Sequence, residues 1–170
     1  MSDKLGAMAK DNLPSTPALL TLRAAKVAFE PRPYKYVDKG GTRASAEALG
    51  VDEHAVIKTI VLETAGKQPL ICLQHGDRQI STKQLARLLG EKSVQPCDPA
   101  VAHRHTGYLV GGTSPFGTRK PLPIYVERTI LDLPLIYING GARGLLVSLS
   151  PRVLTELLGA VPVDVALEAG

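Results

Sequence analysis

Two short turns limit how the strands of this chain can be arranged. Residues 65–67, Ala-Gly-Lys, and residues 139–142, Asn-Gly-Gly-Ala, each stand between two β-rich segments. Parallel neighbours need a crossover of about a dozen residues or more, so connections this tight predict antiparallel pairing in at least part of the sheet. The β-rich segments span residues 34–37, 59–63, 69–74, 124–127, 135–138 and 145–149.

Helix-start signals lie before and between these segments. A polar residue directly before a proline favours the first turn of a helix. Such pairs occur at Thr16-Pro17, Asp98-Pro99 and Ser150-Pro151. We predict that the first helix runs to about Glu30, and that another begins at Ser81 or Thr82 and ends at Gly90. The chain is therefore predicted to be α/β, with a mixed sheet and helices around it.

Length and composition favour one folded domain. The chain has 170 residues, of which 44% are hydrophobic and 21% are charged, with no internal repeat or linker. We expect a flexible N-terminal arm over residues 1–15 and a single domain over residues 16–170. No apolar run approaches the roughly 18 residues that cross a bilayer, and the first 14 residues lack the apolar centre of a signal peptide. We therefore expect a cytoplasmic protein with no membrane partner.

Charge and reactive residue types point only weakly to a function. The net charge of +4 is compatible with an anionic partner such as nucleic acid, but many proteins without one share it. Cys72 and Cys97 form no CxxC pair, and His103 and His105 have no third ligand at a metal-binding spacing. No serine lies in a GxSxG elbow. The sequence thus predicts no metal, no cofactor and no conventional catalytic triad.

Residues 106–123, TGYLVGGTSPFGTRKPLP, contain four glycines and three prolines and are predicted to form a structured loop. The N–H groups around Gly111, Gly112, Thr113 and Ser114 are candidates for an anion or oxyanion cradle, because glycine lets another group approach the backbone closely. The alternative is a simple Gly-Pro hairpin loop. Neither the dinucleotide-binding nor the P-loop pattern is matched, so both interpretations stay open.

Lys58 is a second candidate for a functional residue. It is predicted to close a short helix opened by Asp52 and to stand directly before the strand TIVLE, so that its side chain projects toward the rim of the sheet. Such a position suits catalysis or phosphate binding. A solvated lysine at the start of a strand is the more common situation in proteins.

Three segments together resemble a known family. GVDEHAVIKTIVLE, DPAVAHRHTGYLVGGTSPFGTRKPLPIYVE and LIYINGGARGLLVSLSP are similar to the YbaK family of aminoacyl-tRNA deacylases, which is related to the editing domain of bacterial prolyl-tRNA synthetase. The distinctive elements are the Lys58-Thr59 pair, the run from Gly107 to Gly117, and the turn from Gly140 to Gly144, in that order. The resemblance covers roughly residues 16–165.

The resemblance implies a fold and an activity. The fold is the single-domain YbaK/prolyl-tRNA synthetase-associated fold, with a mixed, partly barrel-like sheet surrounded by helices and the site between the Lys58 strand and the glycine loop. The activity is trans-editing, the removal of mischarged cysteine from tRNA(Pro), by a thiolactone-forming lyase or a hydrolase. Alternatives are a deacylase for Ala- or Ser-tRNA, a noncatalytic module that binds tRNA or prolyl-tRNA synthetase, and a hydrolase of an unrelated small ester.

The resemblance also implies a mechanism and residue roles. The thiol of the substrate cysteine attacks its own ester carbonyl and expels the tRNA, which requires no cofactor. Lys58 is the implied catalytic residue. The implied substrate-binding residues are Tyr34, Thr59, Gly111, Gly112, Thr113, Ser114, Pro115, Phe116, Gly140 and Gly141. Arg119, Lys120 and Arg143 are candidates for contacts to tRNA phosphates near the 3′ end, and prolyl-tRNA synthetase is a candidate partner.

One stretch departs from the family. Residues 37–50, VDKGGTRASAEALG, are shorter and richer in glycine than the corresponding stretch of the family. We expect this departure to reshape one wall of the amino-acid pocket and to affect specificity.

Overall fold

A computed structural model describes residues 13–167 of the chain. Most of the N-terminal arm expected over residues 1–15 therefore lies outside the described residues. Within that arm, Leu13 packs against the main hydrophobic core. In the described part, no helix is long and apolar enough to span a membrane.

The described residues form ten strands and five α-helices. The strands are β1 (Phe29–Pro33), β2 (Val56–Thr64), β3 (Pro69–His75), β4 (Gln79–Ile80), β5 (Val94–Pro96), β6 (Ile124–Glu127), β7 (Ile136–Ala142), β8 (Leu145–Leu149), β9 (Val161–Val163) and β10 (Ala166–Leu167). The helices are α1 (Pro17–Ala24), α2 (Gly41–Leu49), α3 (Thr82–Leu89), α4 (Pro99–Thr106) and α5 (Arg152–Glu156). Two 3₁₀ turns cover Glu53–Ala55 and Arg128–Asp132.

The main sheet is mixed, which confirms the predicted α/β architecture. Its strands follow the order β1-β8-β7-β2-β3-β6-β9, and β5 pairs with β2. The β2–β3, β7–β8, β1–β8 and β2–β5 pairs are antiparallel, whereas β2–β7, β3–β6 and β6–β9 are parallel. Strands β4 and β10 form a separate two-stranded sheet.

Only one of the two predicted turns lies where the sequence indicated. Residues 65–67 connect β2 and β3 as an antiparallel hairpin, and Lys67 adopts a left-handed conformation with φ 65°. Residues 139–142, in contrast, belong to β7 and contain an irregularity in its pairing with β8. The connection between these strands is Arg143-Gly144, because Ala142 still pairs with Leu145.

The predicted end of the first helix and one predicted strand were wrong, and one helix was missed. Helix α1 ends at Ala24 rather than near Glu30, because Lys26 is left-handed (φ 57°) and the Val27 N–H closes the helix end on the Leu22 carbonyl at 3.1 Å. Residues 34–37, predicted as a strand, follow the end of β1 and are not a strand. Helix α2 occupies most of the divergent stretch 37–50, where no helix was predicted.

The main core holds the two parts of the site in place. It includes Leu19 and Leu22 of α1, Ile136 and Ile138 of β7, and Phe116 from the glycine-rich loop, all completely buried. The Thr16 hydroxyl caps α1 through the Leu19 N–H (3.0 Å) and also donates to the Gly140 carbonyl (2.6 Å). Helix α1 is thereby tied to β7, and the loop is anchored through Phe116.

Candidate active site

A cleft of about 660 Å³ lies between β2, helix α2 and the glycine-rich loop. Polar and charged side chains are interspersed with an apolar majority along its walls. Helix α2 and the segment before it form one wall, so the divergent stretch 37–50 borders the cleft. The predicted site residues that line the cleft are Tyr34, Lys58, Thr59, Gly111, Thr113 and Arg143.

The cleft opens where one edge of β2 lacks a neighbouring strand. On its other edge, β2 pairs continuously with β3 over residues 57–63. On the cleft edge, β7 pairs only with Val56 and Ile57, and pairing with β5 begins at Leu62. Because the Val61 carbonyl points toward this edge and accepts from the Cys97 N–H at 2.9 Å, strand alternation directs the main-chain groups of Thr59 to the same edge. Residues 58–60 all line the cleft, and Thr59 also directs its main-chain groups toward it.

Lys58 lies within β2, not at its start. The turn opened by Asp52 ends at Ala55, and Lys58 is the third residue of the strand, half-buried in the cleft wall. Burial lowers the pKa of Lys58, and the negative charges of Glu53 and Asp77 oppose that shift. Among the described residues, its ammonium has neither an ion-pair nor a hydrogen-bond partner. It is thus available to an anionic or ester ligand.

Thr59 places an unsatisfied hydroxyl in the same wall. Its Oγ1 atom is buried and has no hydrogen-bond partner among the described residues. An unmet buried hydroxyl costs about 1–3 kcal/mol, and such groups in native proteins call for an explanation. The oxygen itself has almost no accessible surface, so a ligand in the cleft would reach it only after a local rearrangement.

The glycines of the loop allow it to pack closely between Tyr36 and the β7–β8 hairpin. Gly111 has a φ of +89°, and a Cβ atom there would lie 2.5 Å from the Tyr36 hydroxyl oxygen. A Cβ atom on Gly112 would lie 2.9 Å from the main chain of Ala142 and Arg143. Both contacts are too short for a side chain, so glycine is required at these two positions.

Only part of the predicted N–H cradle is available to a ligand. The Gly112 N–H donates to the Leu109 carbonyl at 2.8 Å, which closes a turn within the loop. The N–H groups of Gly111 and Thr113 donate to no acceptor in the described part of the chain, and both residues line the cleft. The cradle therefore consists of Gly111 and Thr113 rather than the whole run.

The remaining predicted substrate residues lie behind the cleft or beside it. Phe116 and Ser114 are completely buried, and the Ser114 hydroxyl accepts from the Phe116 N–H at 3.2 Å. The Gly140 carbonyl is occupied by Thr16. Because the cleft lining also excludes Gly112, Pro115 and Gly141, these residues can act on a ligand only by shaping the loop and the hairpin.

The predicted phosphate-binding residues separate into two places. Arg119 lies against Gly107 and Lys120 is exposed, and neither lines the cleft. Arg143 lines the cleft, and its guanidinium stacks over the Tyr36 ring with its central carbon 5.5 Å from the ring centroid. Its Nε atom donates to the Val110 carbonyl at 2.8 Å. The role of all three in binding tRNA stays a prediction.

A model of the aminoacyl-tRNA editing domain matches residues 39–157, a range that includes Lys58 and the whole glycine-rich loop. The chain belongs to this family. Aminoacyl-tRNA editing, the deacylation of tRNA, is therefore its function at the level of the family. The family implied by the sequence resemblance is thus confirmed.

Individual relatives of this editing domain agree with that assignment. It is 30% identical over 112 residues to the "Putative Cys-tRNA(Pro)/Cys-tRNA(Cys) deacylase EbsC" of Enterococcus faecalis, covering 66% of this chain and 68% of the relative. It is 28% identical over 119 residues to a proline–tRNA ligase of Geobacter metallireducens, of which it covers only 20%. It therefore corresponds to one part of that larger enzyme.

Solved structures show the same fold. One, described as a "putative trans-editing enzyme for prolyl tRNA synthetase", superposes with a TM-score of 0.80 at 22% identity, over 91% of this chain and 99% of the other. The "hypothetical protein APE2540" superposes with a TM-score of 0.82 at 25% identity, over 89% and 99% of the two chains.

A cluster of His54, His75 and Asp77, which the sequence analysis did not identify, lies beside the start of β2 in this editing domain. His54 and His75 stack with their ring centroids 3.7 Å apart and an interplanar angle of 7°. His54 Nδ1 lies 2.8 Å from an Asp77 carboxylate oxygen, and the two His75 nitrogens lie 2.7 Å from the His54 carbonyl and the Thr129 hydroxyl. Only the β2–β3 pairing, which places Ile57 opposite His75, brings these distant residues together.

The geometry of this cluster is that of a hydrogen-bonded support rather than a metal centre. The ligating atoms of His54, His75 and Asp77 lie within 4.8 Å of one another. A metal ion binds in the plane of an imidazole ring, about 2.0–2.1 Å from the nitrogen, and two parallel stacked planes cannot share one ion. Both His75 nitrogens are also already engaged. The cluster braces the 3₁₀ turn that carries Glu53 against β3.

Proposed function

We propose that this editing domain is a trans-editing deacylase that removes mischarged cysteine from tRNA(Pro). The proposal rests on one cleft that combines the Lys58 ammonium with the N–H groups of Gly111 and Thr113, none of which has a partner among residues 13–167. Cation and amide donors are the groups that stabilise an ester carbonyl as negative charge develops on its oxygen. The name of the Enterococcus relative supports cysteine as the amino acid.

The cleft supplies charge and geometry but no activated nucleophile. No histidine lines it in the described part of the chain. The one cysteine in its wall, Cys97, has its pKa raised to about 11, first by burial and then by the charges of Glu63 and Asp98. A thiol with this pKa is protonated at neutral pH and is a poor nucleophile. We therefore assign the nucleophile to the substrate or to water.

A cysteine ester carries its own nucleophile. The substrate sulfur attacks the ester carbonyl carbon, the bond from that carbon to the ribose oxygen breaks, and the thiol proton is transferred to the leaving ribose oxygen. The products are a small cyclic thiolactone and free tRNA. A well-oriented intramolecular group lowers the barrier by about 7–11 kcal/mol, although strain in the small ring offsets part of this.

The residues of the cleft then have separate tasks. The N–H groups of Gly111 and Thr113 bind the carbonyl oxygen that becomes negative. Lys58 holds the ester or the terminal ribose and offsets the developing charge. Thr59 lines the cleft beside Lys58 and helps to shape the space for the aminoacyl group. Loss of a single donor of this kind costs about 10²- to 10³-fold in rate.

Deacylation of three charged forms of tRNA(Pro) tests the proposal. Cysteinyl, seryl and alanyl tRNA(Pro) are compared, because serine differs from cysteine by one atom and lacks the thiol. We expect cysteine-selective turnover in excess chelator that is lost in Lys58→Ala and retained in Lys83→Ala, an exposed lysine of α3. Release of thiolactone rather than free cysteine in the first seconds identifies the cyclisation route.

Other outcomes of the same experiment reassign the specificity. Equal turnover of the seryl ester would contradict substrate-thiol attack and favour hydrolysis by water. Preference for alanine would place the enzyme with deacylases of small residues. Turnover that requires added prolyl-tRNA synthetase would make that enzyme an obligatory partner, whereas no turnover of any ester, with or without it, would favour a binding module.

A further inference from the structure

Two side chains of the β7–β8 hairpin reach across to adjacent carbonyl groups of the glycine-rich loop. Arg143 Nε donates to the Val110 carbonyl at 2.8 Å, and Asn139 Nδ2 donates to the Gly111 carbonyl at 3.0 Å. These carbonyls belong to the two peptide groups that flank Gly111, a residue that lines the cleft and whose N–H has no acceptor in the described part of the chain. The hairpin therefore contacts the loop on both sides of Gly111, whose N–H is the proposed donor.

The orientation of the Asn139 amide is determined by its own hairpin. Its Oδ1 atom accepts from the N–H groups of Gly141 at 2.7 Å and Ala142 at 3.2 Å. Because a main-chain N–H can only donate, the oxygen must face the hairpin and the NH₂ group must face the loop. The amide is thus locked as a donor toward the Gly111 carbonyl.

Because a peptide group is planar, the hydrogen bonds to the Val110 and Gly111 carbonyls also fix the directions of the Gly111 and Gly112 N–H groups. The described chain contains no cis peptide bond, so the C=O and N–H of each peptide group point in opposite directions. When Arg143 holds the Val110 carbonyl toward the hairpin, the Gly111 N–H in that peptide must point away from it. Asn139 orients the next peptide in the same way, and its Gly112 N–H closes the turn on Leu109.

Packing restricts the alternatives still further. Arg143 is itself held by the Tyr36 ring, and the Tyr36 hydroxyl fills the space beside Gly111. On the other side, Gly112 abuts the main chain of the hairpin. A rotation of the peptide between Val110 and Gly111 would break the hydrogen bond from Arg143 Nε to the Val110 carbonyl.

We propose that Asn139 and Arg143 are positioning residues that direct the Gly111 N–H toward the ester carbonyl of the substrate. The inference rests on the proposed function, in which that N–H binds the carbonyl oxygen. It gives Arg143 a task that depends on the position of Nε rather than on its charge, in contrast to the phosphate contact expected from the sequence.

Two substitutions of Arg143 separate these roles. In Arg143→Gln the amide nitrogen stands the same number of bonds from the backbone as Nε, so the donor is kept and the charge is lost. In Arg143→Lys the charge is kept, but a methylene group replaces Nε. We expect Arg143→Lys to lower kcat at least about tenfold with KM and the salt dependence of KM unchanged, and Arg143→Gln to retain most of kcat.

A phosphate-binding role predicts the opposite order. Arg143→Gln would then raise KM and reduce the salt dependence of binding, and Arg143→Lys would behave like wild type. That order overturns the proposal. Lys83→Ala, which removes an exposed charge outside the cleft at a residue with no predicted contact to tRNA, is the matched control for a general electrostatic effect.

Asn139→Asp gives an independent test on the second contact. The carboxylate still accepts from Gly141 and Ala142, but it turns an oxygen toward the Gly111 carbonyl. We expect kcat to fall at least about tenfold with little change in KM. The amide ¹H–¹⁵N resonances of Gly111 and Gly112 should shift in Asn139→Asp and Arg143→Lys but stay near wild type in Arg143→Gln.

The spectroscopic arm separates failure of this inference from failure of the proposed function. If wild type deacylates none of the esters but the Gly111 resonance shifts in the variants as expected, the positioning contacts are supported and the proposed reaction is contradicted. If wild type is active but the resonances and kcat are indifferent to both positions, the positioning inference is overturned. Thermal melting of each variant identifies any that does not fold. If the variants at one of Asn139 and Arg143 do not fold, the variants at the other residue provide the test.

Discussion

The Glu53 carboxylate accepts a hydrogen bond from the Thr42 hydroxyl at 2.8 Å, which joins the cleft wall formed by α2 to the turn that precedes β2. Burial lowers the pKa of Lys58, and Glu53 is the first of two acidic residues that oppose this shift. The Lys58 ammonium exists below its pKa and is lost as pH rises through it. We therefore expect the alkaline limit of activity to depend on Glu53.

Glu53→Gln should move that alkaline limit to lower pH. The Gln oxygen can still accept from Thr42, but the negative charge that favours the ammonium is gone, so the pKa of Lys58 falls further. The measurement is kcat against pH, corrected for spontaneous hydrolysis of the ester. Glu47→Gln, an exposed residue of α2, is the control. An unmoved limit, or one at higher pH, would contradict the role of Lys58 as a cation.

Lys58→Met should abolish activity without weakening the fold. A lysine whose pKa is lowered by burial is less favourable as a cation in the folded chain than in the unfolded one, so at neutral pH its charge reduces stability. We expect a urea midpoint equal to or above that of wild type at pH 7, and a rate at least about 10²-fold lower. A clear loss of stability would mean that Lys58 has a structural partner. Lys83→Met, at an exposed site, should change neither quantity.

Gly112→Ala should damage both stability and activity. Its methyl group would lie 2.9 Å from the main chain of the hairpin, which cannot move as a flexible side chain can. We expect a loss of about 1–3 kcal/mol in the free energy of unfolding and a fall in kcat. Gly66→Ala is the matched control, because the added atom meets only the Thr64 hydroxyl at 3.9 Å. Equal stability of the two variants would contradict the close packing of loop and hairpin.

The sequence predicted those parts of the fold that depend on local signals. The β2–β3 hairpin and helices α3 and α4 have their turn or capping residues beside them in the chain. Helix α2 was missed because a glycine is its N-cap and no proline follows, so the sequence carries no helix-start signal there. The end of α1 was missed because Lys26 adopts a left-handed conformation that a lysine seldom takes.

For the candidate site, the sequence predicted several of the residues that line the cleft but not which of their donor groups are available to a ligand. Lys58, Thr59, Gly111 and Thr113 were named before the cleft was known, and all four line it. The availability of each donor could not be predicted, because it depends on whether a partner such as Leu109 occupies the N–H. Asn139 carries no motif of its own, and only the packing of the hairpin on the loop reveals its contact.

Glu127 provides a last prediction, on stability rather than catalysis. Its carboxylate is almost fully buried and accepts four hydrogen bonds, from the N–H and hydroxyl of Thr129 and from the N–H groups of Val165 and Ala166. Burial raises the pKa of Glu127, but the four donors together outweigh it and leave the pKa lowered. A lowered pKa means that the ionised group stabilises the fold at neutral pH and that this stabilisation is lost as pH falls through the pKa.

Glu127→Gln should therefore lower the free energy of unfolding at pH 7 by about 2–3 kcal/mol, because an NH₂ group cannot accept from the donors that face it. The difference from wild type should shrink below pH 4.5, the ordinary value for this side chain, as the wild-type carboxylate becomes protonated. Urea unfolding of both proteins at pH 7, 5 and 4 measures this difference in the free energy of unfolding. Glu156→Gln, at an exposed residue, is the control. A difference that stays constant over this range would mean that the side chain acts by shape and not by charge.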